Sequence, residues 1–384
     1  MQQCSLFLSW YIYFYWLGFE KVQKLLQKNI SHTKSKIHSR HLFFLLCLNM
    51  IFLAINIRMI KEIPRDEYQE MTHAATQMHI AIQEMYAFKD SLNIPQLIFN
   101  DPANTGFIGE EYSPITTTLG NLEAKQTSTN PDFAALLVYW LKVAGVHPGK
   151  SAIIQISGSF PALGIAAILA CEIAGLRPIV LSSAGASSFG ANLSNFTYWD
   201  MENFLWEKEI IKHRTDYATP GGEHDNGSSL TSEGYRIVKE AANRNQLRLN
   251  IANSLEEAIN RKWEFIQKFK PISVFINIGG NQAALGNDNC SLAIPNGLIR
   301  TNLNCAESNK GLIHLFNQEN TPVIHLLNIR EIAIQNGIVL SPVPLPMSGQ
   351  SSLYHKKEKP LWLPIISFVS LLMILVFLRQ KQDA

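Results

Sequence analysis

Two serine- and glycine-rich turns lie in the middle of this 384-residue chain, each directly after a short apolar run. The first is Ser157-Gly158-Ser159, which precedes a proline and a nearly all-apolar stretch, and the second contains Ser183 and Ser187. Backbone N–H groups at such a turn can bind an anion, and a serine hydroxyl can act as a nucleophile when a base is near. We therefore expect an anion site or a reactive serine here. The alternative is that the serines only cap a helix.

Candidate partners for a reactive serine occur further along the chain. His224 and Asp225 are adjacent in the turn-rich segment GGEHDNG, and His325 lies inside an apolar run. If Ser159 or Ser157 met a histidine and Asp225, the serine could attack a carbonyl while the histidine acts as base and the carboxylate orients it. Two alternatives stay open. Adjacent loop residues often point apart, and a lone histidine in a strand is more often a hydrogen-bonded core residue.

Other small, polar or basic residues are predicted to bind the ligand. They are Asn192, Gly279, Gly280, Asn281, Thr117 and Lys125. For Thr117 and Lys125 the alternative is a threonine-rich edge strand with a solvated lysine. The sequence contains no CxxC or HxxxH pair and no GxGxxG or GxxxxGK[ST] fingerprint, so we expect neither a metal nor a cofactor.

The elements that must position these residues alternate between strand and helix patterns from residue 151 to about 337. They include helical patterns over residues 198–214 and 329–336 and an apolar strand pattern over residues 272–278. Residues 153–156 and 179–181 are apolar runs joined by the helical pattern of residues 162–174, which predicts a right-handed βαβ unit. We predict an α/β, Rossmann-like, doubly wound and mostly parallel sheet over residues 151–340. Residues 61–150 form a helical and threonine-rich entry region, and the loops at the carboxyl ends of the strands meet at one sheet edge.

Two apolar stretches flank this domain. We predict transmembrane helices at residues 42–60 and 361–378, the second after a proline-rich linker at 341–360. Residues 1–41 form a hydrophobic and basic extension. Its lysine-rich part favours a cytoplasmic location, which predicts an inner-membrane protein with an extracytoplasmic central domain and both termini near or in the cytoplasm. The aromatic stretch at residues 5–19 is either a third span, an interfacial helix or an addition before the working protein.

The net charge and the cysteines bear on the expected partners and on a possible disulfide. The formal net charge is only +2, so a nucleic-acid partner is not expected. Cys290 and Cys305 lie in a polar, asparagine-rich insert. On the predicted topology they face an oxidising compartment, so they either form a loop disulfide or remain two unpaired thiols.

Five longer blocks of sequence carry a resemblance. They are GFIGEEYSPITTTLGNLEAKQTSTNPDFAALLV, SGSFPALGIA, SSAGASSFGAN, INIGGNQAALG and PVIHLLNIREIAIQNGIVLSPVPLP. Over roughly residues 100–346 the chain resembles the poly-gamma-glutamate system protein family, bacterial membrane proteins associated with poly-gamma-glutamate capsule synthesis genes. The resemblance implies a role beside the membrane synthase and export components of that polymer, and it brings no agreed catalytic set. The aromatic stretch before Lys21 and the insert at 290–305 depart from the family's pattern.

Three functions remain open from the sequence. The favoured one is a membrane-anchored accessory protein that binds the polyanionic polymer or its carboxylates during synthesis or export. The second is a serine-dependent gamma-glutamyl hydrolase or transferase. The third is a small-ligand sensor that regulates the system.

Overall fold

The computed structural model describes residues 39–286, 291, 294–303, 310–358, 360 and 362–383. They belong to two units, of which one is Pro64–His355 and the other combines Met1–Ile63 with Lys356–Ala384. The predictions for residues 5–19 and for a disulfide between Cys290 and Cys305 lie outside the described residues.

The described strands and helices are labelled in chain order. Strands β1 to β12 are Lys61–Pro64, Thr116–Thr118, Ser151–Ser157, Arg177–Ser183, Ala186–Ser187, Asn192–Leu193, Phe196–Thr197, Thr215–Thr219, Ile272–Ile278, Gly297–Ile299, Val323–Leu326 and His355–Glu358. Helices α1 to α12 are Ser39–Arg58, Tyr68–Ser91, Leu122–Ser128, Asp132–Ala144, Pro161–Ile173, Tyr198–Glu207, Ser232–Arg244, Leu255–Gln267, Gln282–Leu285, Leu312–Gln318, Ile329–Asn336 and Trp362–Asp383.

The larger unit is built on a six-stranded sheet in the order β10-β11-β9-β3-β4-β8. All neighbouring pairs are parallel except β10 with β11, which is antiparallel. Chain order runs outward from β3 through β4 to β8 on one side and through β9 to β11 on the other. The prediction of a largely parallel α/β sheet is therefore confirmed. The order reverses between β3 and β9, the position where ligands bind in open sheets of this kind.

Helices cover both faces of this sheet, which explains why its central strands are apolar on both sides. All seven residues of β3 are buried. On one face α5 packs against β3, α2 and α4, so it is surrounded by apolar side chains and its own sequence is almost wholly apolar. Pro161 occupies the first turn of α5, where no backbone donor is lost. On the other face α8 and α10 contribute Ile259, Ile266 and Phe316 to a second apolar cluster.

Two regions differ from the sequence-based expectation. The polar stretch before residue 130 contains the threonine strand β2, as the edge-strand alternative has it, and also the short helix α3, which was not predicted. The helix predicted over residues 198–214 ends at Glu207, and the chain then enters β8, which was not predicted. Strand β8 has only five residues and a polar sequence, TDYAT, so its pairing with β4 rather than its own composition determines it.

The smaller unit contains the helices α1 and α12, and β1 pairs with β12. The apolar stretch predicted at 42–60 is helical up to Arg58, and the one predicted at 361–378 is helical over its described residues. However, no helix in the described part of the chain is both long enough and apolar enough to cross a membrane. The prediction that two transmembrane helices flank the α/β domain is therefore not supported.

A buried carboxylate on α6 links the helix to the strand that the sequence did not reveal. Glu202 accepts hydrogen bonds from the Thr215 backbone N–H at 2.9 Å and from the Tyr198 hydroxyl at 3.0 Å. Burial raises the pKa of Glu202 to about 7, against the hydrogen bonds from Thr215. The carboxyl group therefore favours its protonated form in the folded protein more than in the unfolded chain.

This raised pKa predicts how stability depends on pH. Since the folded pKa lies above the usual value of 4.5, the contribution of Glu202 is fully present below about pH 4.5 and is lost as the pH rises towards 7. Glutamine does not ionise, so Glu202→Gln should not lose stability as the pH rises. Its free energy of unfolding should exceed that of wild type by roughly 3 kcal/mol at pH 8 and match it near pH 4.5. Urea unfolding followed by tryptophan fluorescence measures this, with the exposed Glu240→Gln as control. Parallel pH curves for Glu202→Gln and wild type would contradict the assignment.

Candidate functional site

A cleft of about 720 Å³ lies at the carboxyl edge of the sheet, beside the point where strand order reverses. Its walls come from the loops after β3, β4, β9 and β11, from the segment joining β2 to α3, and from the turn after β8. Sheet geometry explains this convergence, because the carboxyl ends of parallel strands all meet at the same edge. The volume is in the range of small-molecule sites.

Lys125 forms one wall of the cleft. It lies on α3, whose first turn is capped by the Asn121 side chain. The lysine side chain is only 3% exposed, and its Nζ lies 2.7 Å from Ser187 Oγ, donates to the Ser159 carbonyl oxygen and stands 3.7 Å from the centre of the Phe160 ring. Burial lowers the pKa of Lys125 to about 7. Of the alternative for Thr117 and Lys125, the solvated lysine is therefore wrong, whereas Thr117 does lie on a short strand, β2.

The Lys125 ammonium has no carboxylate partner among the described residues, and burial is the only cause of its lowered pKa. The acidic residue nearest in sequence, Glu123, faces Arg330 at 3.6 Å in a pair that solvent reaches. A buried charge without a counter-charge is costly, and the cost falls when a ligand supplies the opposite charge. An anionic group bound in the cleft would supply the counter-charge that Lys125 lacks.

The predicted serine turns meet at this lysine. The Ser187 backbone N–H donates to Ser159 Oγ at 3.0 Å, which joins the loop after β3 to the short strand β5. Ser159 does not cap α5, because the cap position is Phe160 and receives no side-chain hydrogen bond. A side chain at Gly120 would lie 3.3 Å from Ser187 Oγ and 2.5 Å from the Ser188 carbonyl oxygen. Glycine is therefore needed where the segment between β2 and α3 approaches the turn after β5.

A second part of the cleft lining, at Asn281, rests on a buried ion pair. Asp225 Oδ2 contacts Lys262 Nζ, and both side chains are almost fully buried. Asp225 Oδ1 accepts hydrogen bonds from Thr219 Oγ1 at 2.9 Å and from Asn281 Nδ2 at 2.8 Å. Lys262 Nζ also donates to Gln155 Oε1 at 3.0 Å. Asp225 is not part of the cleft lining, but its hydrogen bond fixes the position of the lining residue Asn281.

The cleft contains many of the residues predicted from the sequence but not all of them. Those that line it are Ser157, Ser159, Ser183, Ser187, Gly280, Asn281, Thr117 and Lys125. Those that are not part of its lining are Gly158, Gly279, Asn192, Asp225, His224 and His325. Lining residues that the sequence did not single out include Glu123, Glu223, Gln282, Asn328 and Arg330.

The hydrogen bonds do not assemble the predicted serine, histidine and aspartate triad. His325 is buried and lies with Nδ1 3.0 Å from the Asn277 side-chain nitrogen, and burial lowers its pKa to about 4. The His224 backbone N–H donates to Gln282 Oε1 at 2.6 Å. The Ser157 hydroxyl donates to the Ile278 carbonyl oxygen at 3.4 Å. Within the described part of the chain, neither histidine is hydrogen-bonded to a serine of the cleft or to Asp225.

Three other predicted ligand residues have structural contacts instead. Asn192 cross-links the loop before β2, since its side chain bonds both the N–H and the carbonyl oxygen of Glu110 and the Thr116 hydroxyl. Gly279 has φ of +87°, and a Cβ there would lie 2.4 Å from Ser157 Oγ. A Cβ at Gly158 would lie 2.8 Å from the Ala184 carbonyl oxygen. These glycines let the loops of the cleft pack closely.

One missed residue carried a sequence signal. Lys262 lies on α8 at helical spacing from the buried Ile259 and Ile266, so its position falls on the apolar stripe of the helix. A lysine on such a stripe needs a buried acidic partner, which is Asp225. No comparable signal marks Arg330 or Gln282, since their place in the cleft depends on contacts between loops. No group of three or more metal-ligating side chains is assembled within the described residues.

Comparison with known proteins identifies no relative. No family model matches the sequence, and neither a curated protein nor a solved structure matches it. The resemblance to the poly-gamma-glutamate system protein family therefore stays a prediction from the sequence blocks.

Replacing Lys125 tests whether the cleft carries an energetic cost. Since the folded pKa of about 7 lies below the usual 10.5, the lysine destabilises the fold at low pH, and this penalty fades as the pH rises from about 7 to 10.5. Lys125→Met should therefore raise the free energy of unfolding by about 2 kcal/mol at pH 6, after the loss of two hydrogen bonds, with a smaller gain at pH 9. Chemical unfolding at both pH values measures it, with the exposed Lys142→Met as control. A loss of stability at pH 6 would show that the lysine is a structural contact.

Proposed function

We propose that this protein binds a carboxylate-bearing ligand in the cleft, with the Lys125 ammonium as its counter-charge. The buried, unpaired ammonium at the cleft wall is the observation that carries the proposal. The hydroxyls of Ser187, Ser159 and Thr117 line the same space and supply further hydrogen bonds to an anion. At the rim, the guanidinium of Arg330 is 62% exposed in a weak pair with Glu123, so it is free to turn towards a second carboxylate.

The ligand class that we propose is the gamma-linked glutamate polymer or a short oligomer of it. Its support is the resemblance of five sequence blocks, three of which supply the cleft residues Lys125, Ser159 and Ser187. A repeating carboxylate chain fits an open cleft with one buried cation and a second cation at its rim. An accessory role beside the membrane components that make or export the polymer, and an extracytoplasmic location, belong to the same proposal.

Binding should depend on Lys125 and weaken as the pH rises. Because the ammonium must be protonated to pair with a carboxylate, affinity for gamma-glutamyl oligomers should fall up to tenfold per pH unit above about 7. Lys125→Met should weaken binding by roughly 10- to 100-fold, the value of a buried charge-assisted hydrogen bond, whereas Lys142→Met should not. Titration calorimetry at pH 6, 7 and 8 measures both effects.

The proposal would be wrong if Lys125→Met bound gamma-glutamyl oligomers as tightly as wild type, or if the affinity of wild type did not depend on pH. Tighter binding of free glutamate than of oligomers would favour the small-ligand sensor over the polymer-binding role.

A second candidate function rests on one specific distance. Ser187 Oγ and Lys125 Nζ are 2.7 Å apart, within the reach of a nucleophile and its base, and the pKa of about 7 leaves much of the lysine neutral at physiological pH. The neutral amine takes the hydroxyl proton as Oγ bonds to the carbon of a gamma-glutamyl amide. The C–N bond then breaks and the leaving amine takes that proton. Water or another amine releases the acyl group, which gives hydrolysis or transfer.

The two functions have opposite pH dependences. Cleavage needs neutral Lys125, so its rate should rise through about pH 7, where carboxylate binding begins to weaken. Ser187→Ala should reduce cleavage at least 1,000-fold, on the order expected for loss of a nucleophile, while oligomer binding weakens by no more than about tenfold, the value of one hydrogen bond. Release of new amino groups from gamma-glutamyl oligomers is the assay, and the exposed Ser228→Ala is the control. Binding by wild type with no cleavage at any pH from 6 to 9 would leave only the accessory role.

A further inference from the structure

We propose that Asn281 and Ser183 form a second subsite in the cleft, which accepts a hydrogen bond from an N–H group of the ligand. The ligand would then carry both a carboxylate and an amide or ammonium nitrogen, as an amino acid or a peptide does. This inference rests on the proposed carboxylate binding and defines the other half of the molecule that binds.

The orientation of the Asn281 side chain is determined by its neighbour. Its nitrogen donates to Asp225 Oδ1 at 2.8 Å. A carboxylate accepts hydrogen bonds and has none to donate, so the reversed amide would place two acceptor oxygens against each other. The Asn281 oxygen must therefore point away from Asp225. It has no hydrogen-bond partner, although the residue is only 7% exposed and lines the cleft.

Asp225 is itself held on three sides, so it cannot turn away to release Asn281. Thr219 donates to the same carboxylate, and Lys262 supplies its counter-charge from α8. Gln155, on the central strand β3, fixes Lys262 in turn. The turn that delivers Asp225 has left-handed backbone at two consecutive non-glycine residues, with φ of +51° at His224 and +56° at Asp225. Such strain persists where the surrounding structure enforces it, and it is commonest at functional sites.

Ser183 supplies a second unpaired group beside the same turn. It ends β4, is 1% exposed, lines the cleft, and its hydroxyl has no hydrogen-bond partner. A Cβ at Gly221 would lie 2.9 Å from Ser183 Oγ, so a side chain at this position would crowd the hydroxyl. A hydroxyl can accept as well as donate, so in the proposed subsite Ser183, like the Asn281 oxygen, accepts from an N–H group of the ligand.

The two walls of the cleft thus select different groups. Lys125 donates to an anion, whereas the Asn281 oxygen can only accept. A carboxylic acid without a nitrogen donor would satisfy the first wall and leave the second unpaired in a desolvated position. Sites of this kind discriminate strongly against analogues that lack the hydrogen-bonding group.

Two ligand pairs test the inference on the wild-type protein, without relying on a variant that must fold. Glutamate and glutarate differ by an ammonium group, and gamma-glutamylglutamate differs from its ester isostere by the linking N–H. At pH 6.5, calorimetry should show that at least one nitrogen-bearing ligand of these pairs binds about 10- to 100-fold more tightly than its counterpart. Asn281→Leu should reduce that ratio to below about threefold, since a lost acceptor weakens only the ligand that carries a donor. The matched control is Asn243→Leu, at an exposed asparagine of α7 that is not part of the cleft lining.

Equal affinities within both pairs would overturn the donor-selective subsite while leaving carboxylate binding by Lys125 intact. A preference that survives Asn281→Leu would also overturn it. If instead glutarate binding is absent, or is unaffected by Lys125→Met, the proposed function fails first and this inference fails with it.

Discussion

The buried ion pair between Asp225 and Lys262 is the contact on which the cleft depends. It joins the turn after β8 to α8, and through Gln155 and Asn281 it reaches the central strand and the loop after β9. A buried pair of this kind adds little net stability, because desolvation offsets much of the Coulomb attraction. Removing one partner is costly, however, because it leaves the other charged and buried. Its effect is therefore to fix the relative positions of four segments that the apolar core alone would hold less specifically.

The two buried lysines of the cleft region have opposite environments. Lys262 has a carboxylate, a side-chain amide and full burial, so it is a completed structural interaction. Lys125 is equally inaccessible but meets only a hydroxyl, a carbonyl oxygen and an aromatic ring. The same chain thus shows that it can neutralise a buried ammonium when the fold alone requires it. In the function that we propose, the charge that Lys125 lacks among the described residues arrives with the ligand.

Local sequence patterns were enough for the layers of the fold and for the edge where the cleft lies. The strand Ile272–Ile278 and the helix Ile329–Asn336 have the bounds that hydrophobic patterning and terminal glycines predict. Strand β8 and the burial of Lys125 could not be predicted, because both depend on pairing with segments distant in sequence. The serine turns could be located from the sequence, but the contact that they make with Lys125 could not. A βα turn is local, whereas the contact between Ser187 and Lys125 spans 62 residues.

Several buried polar side-chain atoms of the described residues lack a hydrogen-bond partner, and only some of them belong to residues that line the cleft. Glu202 is as deeply buried as any residue of the cleft, yet both of its oxygens accept hydrogen bonds. The Asn281 oxygen and the Ser183 hydroxyl are unpaired and belong to residues that line the cleft, whereas the unpaired atoms of Thr72 and Gln267 belong to residues outside its lining. The turn with left-handed backbone at His224 and Asp225 fixes the orientation of the Asn281 amide, because Asp225 accepts a hydrogen bond from its nitrogen. In the function that we propose, an N–H group of the ligand supplies the hydrogen-bond partner that these two atoms lack within the protein.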